Sequence, residues 1–427
     1  MATNLESELK AAGTANVIVV MKTTATRGRG ASASATKVDP AELKKHFVPT
    51  DDTGLGAVLE AMKTSKTMAM SARSGNAKTH RRPPAMRVFH NLGIVYGTVD
   101  QKGYDGLKAD KTRVLKVLSA PEISLIRPVS SQASAAATPG RTWGITRLNA
   151  PALWDRGFTG SGILVGHLDT GVDGKHPVLK SALAAFAEFD QLGTRIDHDV
   201  SDAFDSDEHG THTAGTIAGR KVGTTEVGVA PDATLASAVV IEGGEVIARI
   251  LGGMDWAIEM NVRILSMSLG LRGFVNDFLP VTQIIRDRGI LPVFAVGNEG
   301  PGTSRSPGNY AEALSVGASD QNNLVADFSS SRRFLRTDDP RVPDLVGPGV
   351  DTFSALPGGG FGIMSGTSMA TPHIAGLAAL LFSAHPEKTA EEIETAIFKS
   401  CKRPTGVPAS RANRGIPDAV RALAALD

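Results

Sequence analysis

One cysteine, Cys401, occurs in 427 residues, so no disulfide can form within the chain. That fits a reducing compartment, although cystine-free secreted enzymes are also common. Aromatic residues are scarce, at 5% of the chain, so few large rings are present to fill a loose interior. A charge excess is missing too. The 45 basic and 44 acidic side chains leave a net charge of +1, which argues against a dedicated nucleic-acid binder. The longest apolar run, Ala375 to Phe382, is far shorter than the ~18 residues that a membrane span needs. The N-terminal stretch Met1 to Glu8 lacks the basic-then-apolar order of a signal peptide, and Val17 to Met21 is too short to supply it. The expected location is therefore cytoplasmic, with secretion by another route left open, and neither a nucleic acid nor a membrane is an expected partner. No repeat at solenoid periods is visible.

Glycine is abundant where so much else is scarce. The 46 glycines of 427 residues are about 11%, above the roughly 7% of average usage, and no Gly-X-Y period makes them collagenous. The length suggests two or three domains. Ser130 to Gly140 is small, polar and uncharged, which reads as a flexible linker between a first region, 1–129, and a second, 143–427, with 130–142 as the joint. The first region reads as a small β-α-β-β-α-β unit of ferredoxin-like α+β type. Its expected elements are a strand over 16–22, a helix over 55–62, and extended structure over 87–99 with a turn at Asn91-Leu92-Gly93. A short helix over 112–118 and a strand over 123–126 follow. Two segments, Thr23 to Thr36 and the acid-free Thr64 to Pro84, interrupt it, and Arg81-Arg82-Pro83-Pro84 reads as a loop or a processing site. In the second region short apolar runs (163–168, 234–240, 263–267, 291–296, 314–316) alternate with helical patterns (211–218, 245–260, 277–288, 369–384). Such alternation predicts an α/β domain, with a mostly parallel sheet covered on both faces.

Four glycine-rich segments carry chemistry. Leu164 to Asp173 is an apolar run that ends in Asp169 and a glycine turn, at the strand end where open α/β sheets bind ligands. Glu208 to Gly219 opens a small-residue helix with His209. The His209-x-x-His212 spacing invites a zinc reading, but the metalloprotease pattern needs histidines four apart and a glutamate base. His212 therefore reads as a packed histidine, and no metal ligand set is expected. Gly362 to His373 brings Ser368 to a helix N-terminus, where oriented N–H groups and partial positive charge favour a developing oxyanion. Ser368 could also be a plain N-cap. Together an acid, a histidine and a serine can form a relay in which His209 takes the proton of Ser368 while Asp169 orients the imidazole. The segment Val293 to Gly302 adds Asn298, whose side-chain amide can donate to an oxyanion.

These segments resemble the subtilisin family of serine peptidases, in its order Asp, His, Ser. The resemblance rests on Asp-Thr-Gly-Val, His-Gly-Thr-His-x-Ala-Gly-Thr, Gly-Asn-Glu-Gly and Gly-Thr-Ser-Met-Ala-Thr-Pro-His, and covers roughly Trp143 to the C-terminus. It implies a doubly wound, mostly parallel subtilisin-like domain that hydrolyses peptide bonds through Asp169, His209 and Ser368 and an acyl-enzyme. It also implies an oxyanion hole of Asn298 and the Ser368 N–H, and pairing of extended protein or peptide substrates with Ser268, Leu269 and Gly270. No cofactor is implied for the chemistry. The first region resembles the prodomain of such zymogens, an inhibitory partner whose tail, here Glu122 to Val129, blocks the site until autocatalytic cleavage near 130–142.

Several features depart from the family pattern or extend it. His167 stands where relatives usually carry an aliphatic residue, and on a strand it would share a face with Asp169, as a satisfied polar residue or as a modulating contact to the triad. Gly219 to Glu226 lies where many relatives bind calcium, yet it brings Arg220 and Lys221, so a structural calcium ion has no assigned place. Six acids from Asp197 to Glu208 precede the histidine, as a solvated loop or as a means of favouring basic substrate residues, binding a cation or meeting the acid-free stretch Ala61 to Val99 of the first region. Ala295, Val296 and Gly297 suggest an apolar primary pocket with no acid in it. A non-catalytic, permanently latent protein and a zinc enzyme are the competing readings.

Overall fold

The computed structural model describes residues 5–22, 40–48, 86–134, 139–242, 246–337 and 340–427. They fall into two compact units, Met1–Pro121 and Glu122–Asp427, so residues 122–129 go with the second unit rather than with the first.

The first unit is built on an antiparallel sheet in which Thr14–Met21 lies between Ile94–Asp100 and Val114–Ser119, with Met86–Phe89 at one edge. Helices Leu5–Ala12 and Gln101–Ala109 bury Leu5, Leu9, Tyr104 and Leu107 against it. Residues 112–118, expected as a helix, form the strand Val114–Ser119 instead. The helix precedes it, because the Asp100 carboxylate caps the Gly103 N–H and starts a helix there. The expected helix over 55–62, the acid-free stretch to Pro84 and the Arg81–Pro84 loop lie outside the described residues.

The second unit centres on an eight-stranded sheet in the order 195–197, 183–189, 234–239, 164–169, 264–267, 291–295, 314–319 and 345–348. Every pairing is parallel except that of the edge strand Arg195–Asp197 with Leu183–Phe189. Side chains alternate across a strand, and Leu164–Asp169 displays both coverings. His167 reaches Thr213 on helix His209–Ala218, whereas Leu168 lies against Gly253 of helix Val246–Glu259, so the two helices cover opposite faces. The buried helix Thr367–Ala384 runs beside His209–Ala218 and packs on the central strands. Strand order reverses at Leu164–Asp169, which places Asp169 at the topological switch point, where such sheets leave a crevice.

Ser130–Ser134, which reads as flexible linker, runs as a strand antiparallel to Gly360–Ser365. Small polar composition permits either form, and a free sheet edge supplies the partner that the sequence could not reveal.

Candidate active site

Asp169 ends its strand, and the chain turns at once through Gly171, whose φ of +112° disfavours any side chain. The His209 helix starts against this turn, so close that a Cβ on Gly210 would stand 2.0 Å from the Gly171 carbonyl oxygen. Two glycines thus let the Asp169 carboxylate and the His209 imidazole meet. His209 Nδ1 donates to Asp169 Oδ1 at 2.7 Å, and the Thr170 N–H donates to the same oxygen at 2.8 Å. Both side chains are almost wholly buried. Burial favours the neutral form of each, yet their mutual charge and hydrogen bond outweigh it, holding Asp169 below the usual carboxylate range and His209 above the usual histidine range. Asp205 and Asp207 add to the rise at His209.

Ser368 lies in the first turn of Thr367–Ala384. Pro372 sits inside the same helix, where its missing N–H frees the carbonyl of Ser368. The Ser268 hydroxyl takes that carbonyl at 3.2 Å, tying the Ser268–Gly270 segment to the Ser368 helix. Asn298 accepts from the N–H and hydroxyl of Thr367 at 2.9 and 2.8 Å through Oδ1, which leaves Nδ2 aimed outward as a donor.

A stretch of the chain itself occupies the groove between these groups. Ser124 and Leu125 pair antiparallel with Gly270 and Leu269, and the Ile126 N–H donates to Ser268 O at 3.1 Å. Ser368 Oγ donates to the Ile126 carbonyl at 2.6 Å, while Asn298 Nδ2 donates to the next carbonyl, that of Arg127, at 2.9 Å. Beyond Pro128, the Val129 N–H donates to Ser365 O at 2.8 Å. With its hydroxyl turned to Ile126, Ser368 leaves buried His209 Nε2 with no hydrogen-bond partner.

The profile of the Subtilase family matches residues 160–416. The chain belongs to that family. It is 32% identical over 357 residues to subtilisin E of Bacillus subtilis (strain 168), covering 82% of this chain and 83% of that protein. To subtilisin Savinase of Lederbergia lenta it is 38% identical over 246 residues, 57% of this chain and 85% of that one. This subtilase is a serine endopeptidase and needs no cofactor for its chemistry.

Ala295, Val296 and Gly297 are buried small walls, as their sizes suggest, but charge stands beside them. A Cβ on Gly297 would lie 2.8 Å from Glu299 Oε2 and 3.1 Å from Arg305 Cγ. Arg305 Nε donates to Glu299 at 2.8 Å, and its Nη1 donates to Gly270 O at 3.0 Å and Ser124 Oγ at 3.2 Å. Burial works to raise Glu299, but the hydrogen bond and charge of Arg305, with Arg272, hold it low. Glu299 follows Asn298 in the recognised motif. Its partner, six residues on, carried no sequence signal.

The acidic loop divides by role. Asp205 is internal, accepting from Thr170 Oγ1 and from the N–H and hydroxyl of Thr211, each at 2.6 Å, so it secures the first turn of the His209 helix. Asp207 faces Arg127 at 3.1 Å, and Glu208 accepts from Ser131 at 2.7 Å. His212 is packed, with Nε2 donating to Thr352 O at 3.0 Å, and burial pushes its pKa down to about 3. Among the described residues no group of three His, Cys, Asp or Glu is placed to hold a metal. In the loop that reads as a doubtful calcium site, the Arg220 guanidinium itself binds the carbonyls of Ser181, Ala218, Pro231 and Ala233. Half-buried Cys401 bonds Ile397 O and packs against the main core.

Proposed function

We propose that this subtilase is made as a self-inhibited zymogen whose triad is Asp169, His209 and Ser368 and whose N-terminal unit is a prodomain. In the reaction His209 Nε2 takes the proton of Ser368 as the hydroxyl attacks the substrate carbonyl. Asp169 holds the imidazole with its proton on Nδ1, and Asn298 Nδ2 with the Ser368 N–H receives the oxyanion. The imidazolium then gives its proton to the leaving amine, and water enters by the same route to release the acyl group. Proteins and peptides in extended form pair with Ser268 to Gly270.

The observation that carries this reading is the course of residues 124–127, which follow the path an extended substrate would take past Ser368. The alignment with subtilisin E adds support, since its 357 residues exceed the whole Glu122–Asp427 unit and must enter the N-terminal one. The segment inhibits because its carbonyls are divided. Ser368 holds that of Ile126 and Asn298 that of Arg127, whereas acyl transfer needs both groups on one carbonyl. Processing is accordingly slow, and the cut in cis falls at Ile126–Arg127, upstream of 130–142. The primary pocket takes a side chain of modest size, limited by the Arg305–Glu299 pair. A structural calcium ion, where one binds, sits away from the loop that Arg220 fills.

The test expresses the full chain and its Ser368→Ala variant. The wild type should cleave casein, react with a fluorophosphonate and yield a mature N-terminus at Arg127 by mass spectrometry, whereas the variant stays full length and unlabelled. Equal casein cleavage by both would sink the triad, and a wild type that cleaves casein yet stays full length would sink the zymogen.

A further inference from the structure

Behind the Asp169 carboxylate lies a buried polar cluster that the proposed reaction does not use. Asp169 Oδ1 already accepts from His209 and Thr170. Its other oxygen, Oδ2, faces Thr213 Oγ1 at 3.3 Å and His167 Nε2 at 3.8 Å. His167 bridges Thr213 Oγ1 and Ser237 Oγ, each at 2.8 Å, and is itself 1% exposed. The neighbouring carboxylate favours the tautomer with its proton on Nε2, pointing toward the negative charge. Nδ1 then accepts from Ser237, Nε2–H donates to Thr213, and the Thr213 hydroxyl is left to donate to Asp169 Oδ2. Without that neighbour the hydroxyl would turn to the His209 and Gly210 carbonyls, which lie 3.2 and 3.1 Å away on its own helix.

We propose that His167 is a positioning residue of the peptidase reaction: through Thr213 it directs a hydrogen bond to the outer oxygen of Asp169 and so sets the proton affinity of His209. The inference rests on Asp169 and His209 acting as proposed above. His167 works as a neutral group, since burial pushes it down to about 4. The strands on either side present uncharged Ser237 and Ser266, so Asp169 and His209 are the ionisable groups that face it. His209 is faced by Asp169 on the strand, by Asp205 and Asp207 on the preceding loop, and by His167 and His212. A donor at Oδ2 draws charge away from the oxygen that holds His209. Its loss makes the carboxylate a stronger partner for the imidazolium.

The measurement is the pH profile of kcat/KM for the active enzyme obtained from the full chain. His167→Val should move the acid limb upward by about half a pH unit or more, with KM little changed. Thr213→Val, close in volume and without the hydroxyl, should reproduce the shift if His167→Val does not fold. His167→Gln, whose amide can donate to Thr213 from the same place, should restore the limb. The downfield Nδ1 proton of His209, followed by NMR through the same titration, should move with it. Folded His167→Val and Thr213→Val enzymes with an unshifted limb and unshifted proton resonance would overturn the proposal. A wild type that hydrolyses nothing would overturn the proposed function instead, and the His209 titration would still decide the role of His167.

Discussion

Asn298 is held before any substrate arrives, because both Thr367 donors grip Oδ1 and only Nδ2 faces the groove. A preset donor acts on the developing oxyanion without reorganisation. Asn298→Leu is expected to lower kcat by about 10²–10³-fold while KM changes little, measured with a fluorogenic peptide. A comparable fall in binding with kcat intact would place Asn298 in ground-state recognition. Asp169, His209, Ser368 and Asn298 were legible in the sequence because each sits in a short motif of small residues, where backbones must approach closely. Gly171 and Gly210 bear this out by meeting between acid and base. Arg305 was not legible. Nothing near it along the chain marks it as the partner of Glu299, and only the folded strand brings its guanidinium to Gly270.

Among the elements, the segment from Ser124 to Ser134 departs furthest from its sequence reading. It makes one strand on each side of the Ile126–Ser368 contact, and Pro128 stands between them. Proline fixes its own φ, offers no N–H and biases Arg127 toward an extended backbone, which keeps the Arg127 carbonyl on Asn298. Pro128→Ala should let the Ile126 carbonyl swing to Asn298 and speed maturation several-fold, read as the rate at which full-length chain disappears on a gel. A slower or unchanged rate would show that proline does not hold the register. The surface pair Arg127–Asp207 adds little to that hold, since the arginine is largely exposed. Composition alone could not assign Ser130–Ser134, whose pairing is supplied by a sheet edge more than two hundred residues away.

Taken as a whole, the second unit buries three neutral histidines around helices His209–Ala218 and Thr367–Ala384. His167 and His373 are pushed down to about 4 and His212 to about 3, in each case chiefly by burial. In the unfolded chain each titrates near 6.5, so below that pH the unfolded state binds more protons than the folded one. Stability from these groups is full above pH 6.5, is lost as pH falls through the window, and levels off below about 3. The fold should lose at least about 3 kcal/mol between pH 7 and pH 5, seen as a falling urea midpoint with an unchanged slope. A midpoint that is flat across this range would mean that water reaches these histidines. To keep self-digestion out of the reading, the measurement uses Ser368→Ala.

The sequence by itself determined the α/β architecture and the motifs that carry Asp169, His209, Ser368 and Asn298, because apolar period and short motifs are local and survive without coordinates. It also set His167 on the strand face of Asp169, though without Thr213 or Ser237. Only the tertiary structure decided what that histidine touches, that the Arg305–Glu299 pair stands beside Gly297, and that the chain's own residues 124–134 run past Ser368. Those three depend on contacts between residues far apart in the chain, where hydrogen-bond geometry rather than residue type selects the partner.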